Sequence, residues 1–280
     1  MAERRLNIDI VHRIVGPTQR CVLAIVLLAV SVPALALDAA YAGYGRLLTQ
    51  SVQWSADGHA SSVDYAQLQQ RRAALDAVLA EWSSVGQAEF DGWTRAQQMA
   101  FLINAYNGFT LQLILSRYPK LQSIRDLGSV LRSPWKQPFF VLLGQQRTLD
   151  WIEHEQLRPR YRDERIHFAI NCASVGCPAL RPEPYVAAQL DAQLDDQQRR
   201  YLGDRRRHRY DAATRTLQVQ AIYQWFADDF ARNGGSVAAW FAQRADLLSD
   251  AEPDRVALRR ADVRIEYLDY DWALNDSRSR

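Results

Sequence analysis

TRAQQMAFLINAYNGFTLQLILSRY, residues 94–118, decides the fold. Thr94 with Gln97 three residues on makes a T-x-x-Q capping box, in which each side chain satisfies an otherwise unpaired backbone N–H. Pro119 stops the helix, because proline has no N–H to give and crowds the preceding turn. Apolar residues occupy almost the whole circumference between these signals. The spacing therefore predicts a long, buried, central helix and not an amphipathic surface one. Asn104 and Asn107 lie three apart on it. Buried amides need partners, so both are expected either to anchor neighbouring backbone or to belong to a site.

Working outward, a helix is expected over Tyr65–Trp82, with Leu68, Leu75, Val78, Leu79 and Trp82 at helical spacing. A short helix follows around Ser123–Leu131, and a hairpin turns at Gly144-Gln145-Gln146. Asp150 is expected to cap a helix from Trp151 to about Arg158, closed by Pro159, with His154 and Arg158 sharing a face at i, i+4. Ile166–Asn171 reads as a strand with His167 and Asn171 on one side, running into the turn-rich loop Cys172–Pro178. Pro184 is expected to open a helix reaching Leu202. A second hairpin spans His208–Gln220, helices cover 222–230 and 236–245, and a last strand starts at Val263. Asp228 and Asp229 read as solvated. The class is α+β: a helix-rich single domain around a small, mostly antiparallel sheet.

The first 36 residues read as an address. Four Arg precede the apolar run CVLAIVLLAVSVPALA (21–36), which ends in small residues at 34 and 36. The run is shorter than the roughly 20 residues that span a bilayer, and its A-x-A end fits signal cleavage. The expected organisation is a signal peptide at 1–36, a helical entry region at 37–92 and the main α+β domain at 93–280. The mature chain would be periplasmic or secreted, without a transmembrane helix. The whole sequence holds 34 basic and 32 acidic residues, and residues 1–36 contain four and two of these. The remainder is neutral, which argues against nucleic acid as a partner. The Arg199–Arg209 cluster is interleaved with Asp and reads as a salt-bridged face. Nucleotide, zincin and serine-hydrolase motifs are missing from the sequence, so no cofactor is expected.

Several stretches together resemble one family of bacterial and plant proteins, known only as domain of unknown function 547. They are FLINAYNGFTLQLIL (101–115), LDWIEHEQLRPRY (149–161), RIHFAINCASVGCPALRPEPY (165–185), QLDAQL (189–194), IYQWFADDF (222–230) and LDYDWALN (268–275). The resemblance implies an exported or envelope-associated bacterial protein and implies no substrate. The family's characteristic polar positions fall on Asn104, Asn107, His154, Arg158, His167, Cys172 and Cys177.

Two kinds of function fit these residue types. With Cys21 removed, Cys172 and Cys177 remain, and in an oxidising compartment a disulfide between them is the default. The domain is then a binding or structural module for an unidentified envelope ligand, small molecule or peptide, with Asn104, Asn107, Arg158 and Asn171 as binding contacts. The alternative is a thiol hydrolase or acyl transferase acting on an amide or thioester. There Cys172 or Cys177 supplies the nucleophile and His154 or His167 the base. A redox or metal-binding loop comes third: C-x4-C is not a standard zinc spacing, and the C-x-x-C spacing that lowers a thiol pKa is missing. Amino-terminal sequencing of the protein exported from a bacterial host should begin at Leu37; a start at Met1 would reject the cleavage.

Overall fold

The computed structural model describes residues 34–129, 132–233 and 235–279. Positions 1–33 of the expected leader lie outside them. Helix α1 (Ala34–Ser51) leads into a hairpin of β1 (Val52–Trp54) and β2 (Ser61–Val63). The expected helix over 65–82 appears as α2 (Tyr65–Gln70) and α3 (Arg72–Ser83), broken at Arg71. Helix α4 (Gln87–Asp91) is followed by the central helix α5 (Arg95–Leu115), which carries the capping box at Thr94 and Gln97. Every residue from Met99 to Leu111 is buried. Gly108 lets α3 lie close, since a Cβ there would stand 2.8 Å from Trp82 and 2.9 Å from Leu79.

Strands β3 (Phe140–Leu142) and β4 (Gln145–Arg147) form the next hairpin. Trp151–Leu157 is a widened π-type helix, continued by α6 (Arg158–Tyr161). Thr148, and not Asp150, caps it: its Oγ1 accepts from the Trp151 N–H at 2.9 Å. Pro159 does not end the helical path. The path runs on through it as α6 and ends at Arg162 with φ 51°.

The expected strand at 166–171 is instead a single helical turn, α7 (Ile166–Ala169), leading to extended Ile170. The reason lies in where its side chains go. Ile166, Ala169 and Ile170 join one apolar cluster while Phe168 joins another, so burial follows helical and not alternating spacing. Helix α8 spans Leu190–Gly203 and starts later than expected from Pro184. The preceding segment stays extended, because Asn104 and Gln193 take up its backbone groups. Strands β5 (Arg209–Asp211) and β6 (Thr216–Gln220) pair antiparallel. Then come α9 (Ile222–Trp225), α10 (Ala227–Ala231), α11 (Val237–Ala242), α12 (Ala245–Leu248) and α13 (Glu252–Arg259). Strand β7 (Arg264–Leu268) adds to β6 in parallel. This is a helix-rich α+β domain with small, mostly antiparallel sheets. No helix among the described residues is long and apolar enough to cross a membrane.

Two apolar clusters organise the chain. The larger surrounds α5 and takes in α1, α3 and the π-type helix. The smaller gathers Phe168, Tyr201, Tyr223, Phe230 and Trp240 around the three-stranded sheet. The carboxy-terminal segment returns across the cysteine loop, with Val175 N–H donating to Ala273 O, Gly176 N–H to Asp271 O, and Asn275 N–H to Ala173 O.

Asn104 and Asn107 act as strand substitutes. Asn104 accepts from Tyr185 N–H at 2.9 Å and donates to Tyr185 O at 2.7 Å. Asn107 accepts from Asn171 N–H at 2.8 Å and donates to Ala169 O at 3.0 Å. Asn104→Ala should cost about 3 kcal/mol in urea denaturation, because it leaves two buried backbone groups of Tyr185 unpaired. A cost no larger than that of Gln112→Ala, on the partly exposed side of α5, would reject the anchoring role.

Candidate functional site

A cleft of about 240 Å³ opens where the two clusters meet. Tyr106 of α5 and Asp150, Glu153 and His154 of the π-type helix line one side. His167 and Ile170 come from the α7 segment, and Cys172, Cys177 and Pro178 from the loop after it. Ile222, Trp225, Phe226, Tyr270 and Trp272, with Ser133 and Trp135, complete the wall. The structure thus brings His154, His167, Cys172 and Cys177 into one cavity.

Asp229 lies directly behind the cleft. The sequence reading placed it in solvent, yet it is only 6% exposed. His167 Nε2 donates to its Oδ2 at 2.8 Å, Arg158 Nε donates to the same oxygen at 2.6 Å, and Arg232 donates to Oδ1 at 2.5 Å. Burial by itself would raise the Asp229 pKa. The hydrogen bonds from His167 and Arg158 outweigh it and hold the carboxyl well below its usual range. His167 is lowered from the ordinary imidazole value, mainly by burial and with Asp229 pulling the other way. The pair is therefore a neutral imidazole donating to a carboxylate, which leaves Nδ1 as the basic nitrogen. The ring stacks on Phe226, with centroids 4.0 Å apart.

His154 is set differently. Arg158 donates to its Nδ1 at 2.8 Å. A guanidinium has only donors, so the imidazole proton sits on Nε2, which lies 3.5 Å from Asp150 Oδ1. Burial, followed by the opposing effects of Asp150 and Arg158, leaves its pKa lowered. Glu153 is buried on the inward face of the same helix, and burial raises its carboxyl from the usual 4.5 to about 7. The Tyr106 hydroxyl is its hydrogen-bond partner.

The sulfurs of Cys172 and Cys177 lie at disulfide distance, with Cα atoms 6.2 Å apart. Ala173 between them has φ 62°, a left-handed conformation that costs a non-glycine residue on the order of 1 kcal/mol. Asn171 supports it, accepting from the Ala173 N–H and donating to Pro178 O. Gly176 packs flat on Tyr270, where a Cβ would stand 3.0 Å from the ring. Tyr270 can therefore reach Cys172 Sγ at 3.2 Å, and Ser174 Oγ reaches it at 3.0 Å. Among the described hydrogen bonds, Cys172 Sγ meets these two hydroxyls and neither imidazole. No group of three His, Cys, Asp or Glu among the described residues is placed to hold a metal ion.

Of the expected binding contacts, Arg158 touches the cleft histidine His154, while Asn104, Asn107 and Asn171 spend their hydrogen bonds on backbone. Sequence reasoning missed Glu153, Asp229, Tyr106 and Ser174. A signal for Glu153 was present: it lies four residues from both Leu149 and Leu157, on the stripe that faces the core.

A family model described as protein of unknown function, DUF547, matches residues 90–202. Over these residues the chain is similar to that family. No curated protein and no solved structure matches the chain. The DUF547 match contains Tyr106, Glu153, both cleft histidines and both cysteines. Asp229, Phe226, Tyr270 and the tryptophans Trp225 and Trp272 lie beyond it.

Because folding raises the Glu153 pKa, burial favours its protonated form. That contribution is fully present below the unfolded value of 4.5 and is lost as pH rises through about 7. A shift of this size corresponds to about 3 kcal/mol. Glu153→Gln should therefore be more stable than the unsubstituted protein above pH ~8, with the difference shrinking toward pH ~5 in parallel urea titrations. A constant difference across the range would reject the buried, protonated carboxyl.

Proposed function

We propose that the cleft binds a largely uncharged substrate with an apolar face and performs acid–base chemistry on it. The reaction class is hydrolysis or acyl transfer at an amide or ester carbonyl. The observation that carries this is the His167–Asp229 pair at the cleft wall, a neutral imidazole oriented by a buried carboxylate. Such a pair is the base-and-orienter half of a hydrolytic site. His167 Nδ1 takes a proton from water, which serves as nucleophile while the sulfurs are joined. Glu153, held near neutrality by burial, returns a proton to the leaving group. Trp225, 47% exposed and stacked 5.7 Å from Trp272, offers the apolar platform.

A second reading, favoured by the bridged loop and the backbone role of the asparagines, is a binding module that does no chemistry. In either case we propose an exported protein, on the strength of its first 36 residues.

A screen of nitrophenyl esters and nitroanilides separates the two readings. Turnover should fall about 10²–10⁴-fold in His167→Asn and in Glu153→Gln, with KM little changed. Activity should hold as pH falls through the ordinary imidazole range and drop only below it, because burial lowers the His167 pKa, and it should drop above pH about 7 as Glu153 loses its proton. Ligand binding that quenches Trp225 fluorescence, with no turnover by the unsubstituted protein, would favour the module.

A further inference from the structure

The cysteine pair lines the cleft, although the acid–base reading leaves it unused. Cys172 is partly exposed, whereas Cys177 is only 6% exposed. Each sulfur has donors suited to an anion. Tyr270 OH lies 3.2 Å from Cys172 Sγ and can donate to it, while Ser174 Oγ, 3.0 Å from the same sulfur, donates to Tyr270 OH at 3.2 Å. The backbone N–H of Cys172 donates to Cys177 Sγ at 2.9 Å. Hydrogen bonds to the charged form of an acid favour that form. A structural bridge needs none of this, because a disulfide sulfur is a weak acceptor.

We infer that Cys172–Cys177 is an exchange-active disulfide that takes thiol substrates in the cleft, with Cys172 the sulfur attacked and Cys177 the leaving group. The incoming thiolate bonds to Cys172 Sγ while the bond between the two cysteine sulfurs breaks. The electron pair goes to Cys177, whose thiolate receives the Cys172 N–H. A second substrate thiolate then attacks the substrate sulfur of the mixed disulfide and releases a substrate disulfide and the Cys172 thiolate. Two substrate thiols lose two electrons and the protein gains them. The protons of the two substrate thiols pass to solvent or to the freed cysteines. A disulfide compound returns the pair to the bridged form by the same steps in reverse. Selectivity for Cys172 follows from access, since both cysteines line the cleft but only Cys172 is partly exposed.

The test uses the full chain, folded and without denaturant, in millimolar glutathione. Acid quenching, alkylation and peptide mapping locate the thiols. The expected result is opening of the bridge with glutathione found on Cys172 and not on Cys177. The Cys177→Ser variant should capture glutathione from glutathione disulfide at Cys172, and Tyr270→Phe should slow that capture about tenfold. A bridge that stays closed in the folded protein and opens only in urea would overturn the inference. So would glutathione attached to Cys177. Mapping the unsubstituted protein keeps the test decisive if Cys177→Ser fails to fold. The acid–base reading is scored separately, because His167→Asn and Glu153→Gln leave Cys172, Ser174 and Tyr270 in place.

Discussion

A carboxylate buried among donors from three separate segments is costly to desolvate and hard to take apart. Asp229 of α10 holds Arg158 at the end of the π-type helix, His167 of α7, and Arg232 one turn on. Two of these segments pack on the large cluster around α5, while α10 packs on the smaller cluster around the three-stranded sheet. This one side chain therefore fastens the seam between the clusters. The cleft exists because that seam is pinned at a polar point and not filled with apolar side chains. Removing Asp229 would leave two cations and an imidazole facing one another without a counter-charge.

The rest of the site is arranged around that pin. Arg158 spends its Nε on Asp229 and another nitrogen on His154, so the tautomers of both imidazoles follow from one guanidinium and one carboxylate. Phe226 fills the space between, stacked on His167 and under Arg158 at 4.9 Å. The long helix contributes from the other side. Asn107 fixes both ends of the turn at Ala169–Asn171, which places the cysteine loop at the cleft mouth. The carboxy-terminal segment pairs with the back of that loop and delivers Tyr270 to the sulfur. The amide-bearing helix, the 154–178 stretch and the tail thus meet at one polar locus.

Where the reading of the sequence went astray, the failures share a cause. Ile166–Asn171 alternates like a strand because its side chains divide between two apolar clusters, and the residues alone give no hint of the second cluster. Asp229 looks solvated because it follows another acidic residue in a short helix, and its partners lie 62 and 71 residues away. Pro184 looks like a helix start until Asn104, 81 residues before Tyr185, claims that neighbouring backbone. In the first case long-range packing, and in the other two long-range hydrogen bonds, outweighed the local preference.

Local chemistry was sufficient for α5. Its capping box, its stop and its apolar circumference are all properties of consecutive residues, and a helix so apolar has nowhere to go but the centre of a fold. The hairpins and the candidate residues His154, His167, Cys172 and Cys177 were legible for the same reason: turn residues and reactive side chains identify themselves by type. The protonation states and the pairing of these groups belong to the tertiary structure. Which histidine meets a carboxylate, which glutamate is desolvated and which hydroxyls reach a sulfur depend on segments far apart in sequence. Only packing sets the distances on which electrostatics and hydrogen bonding act.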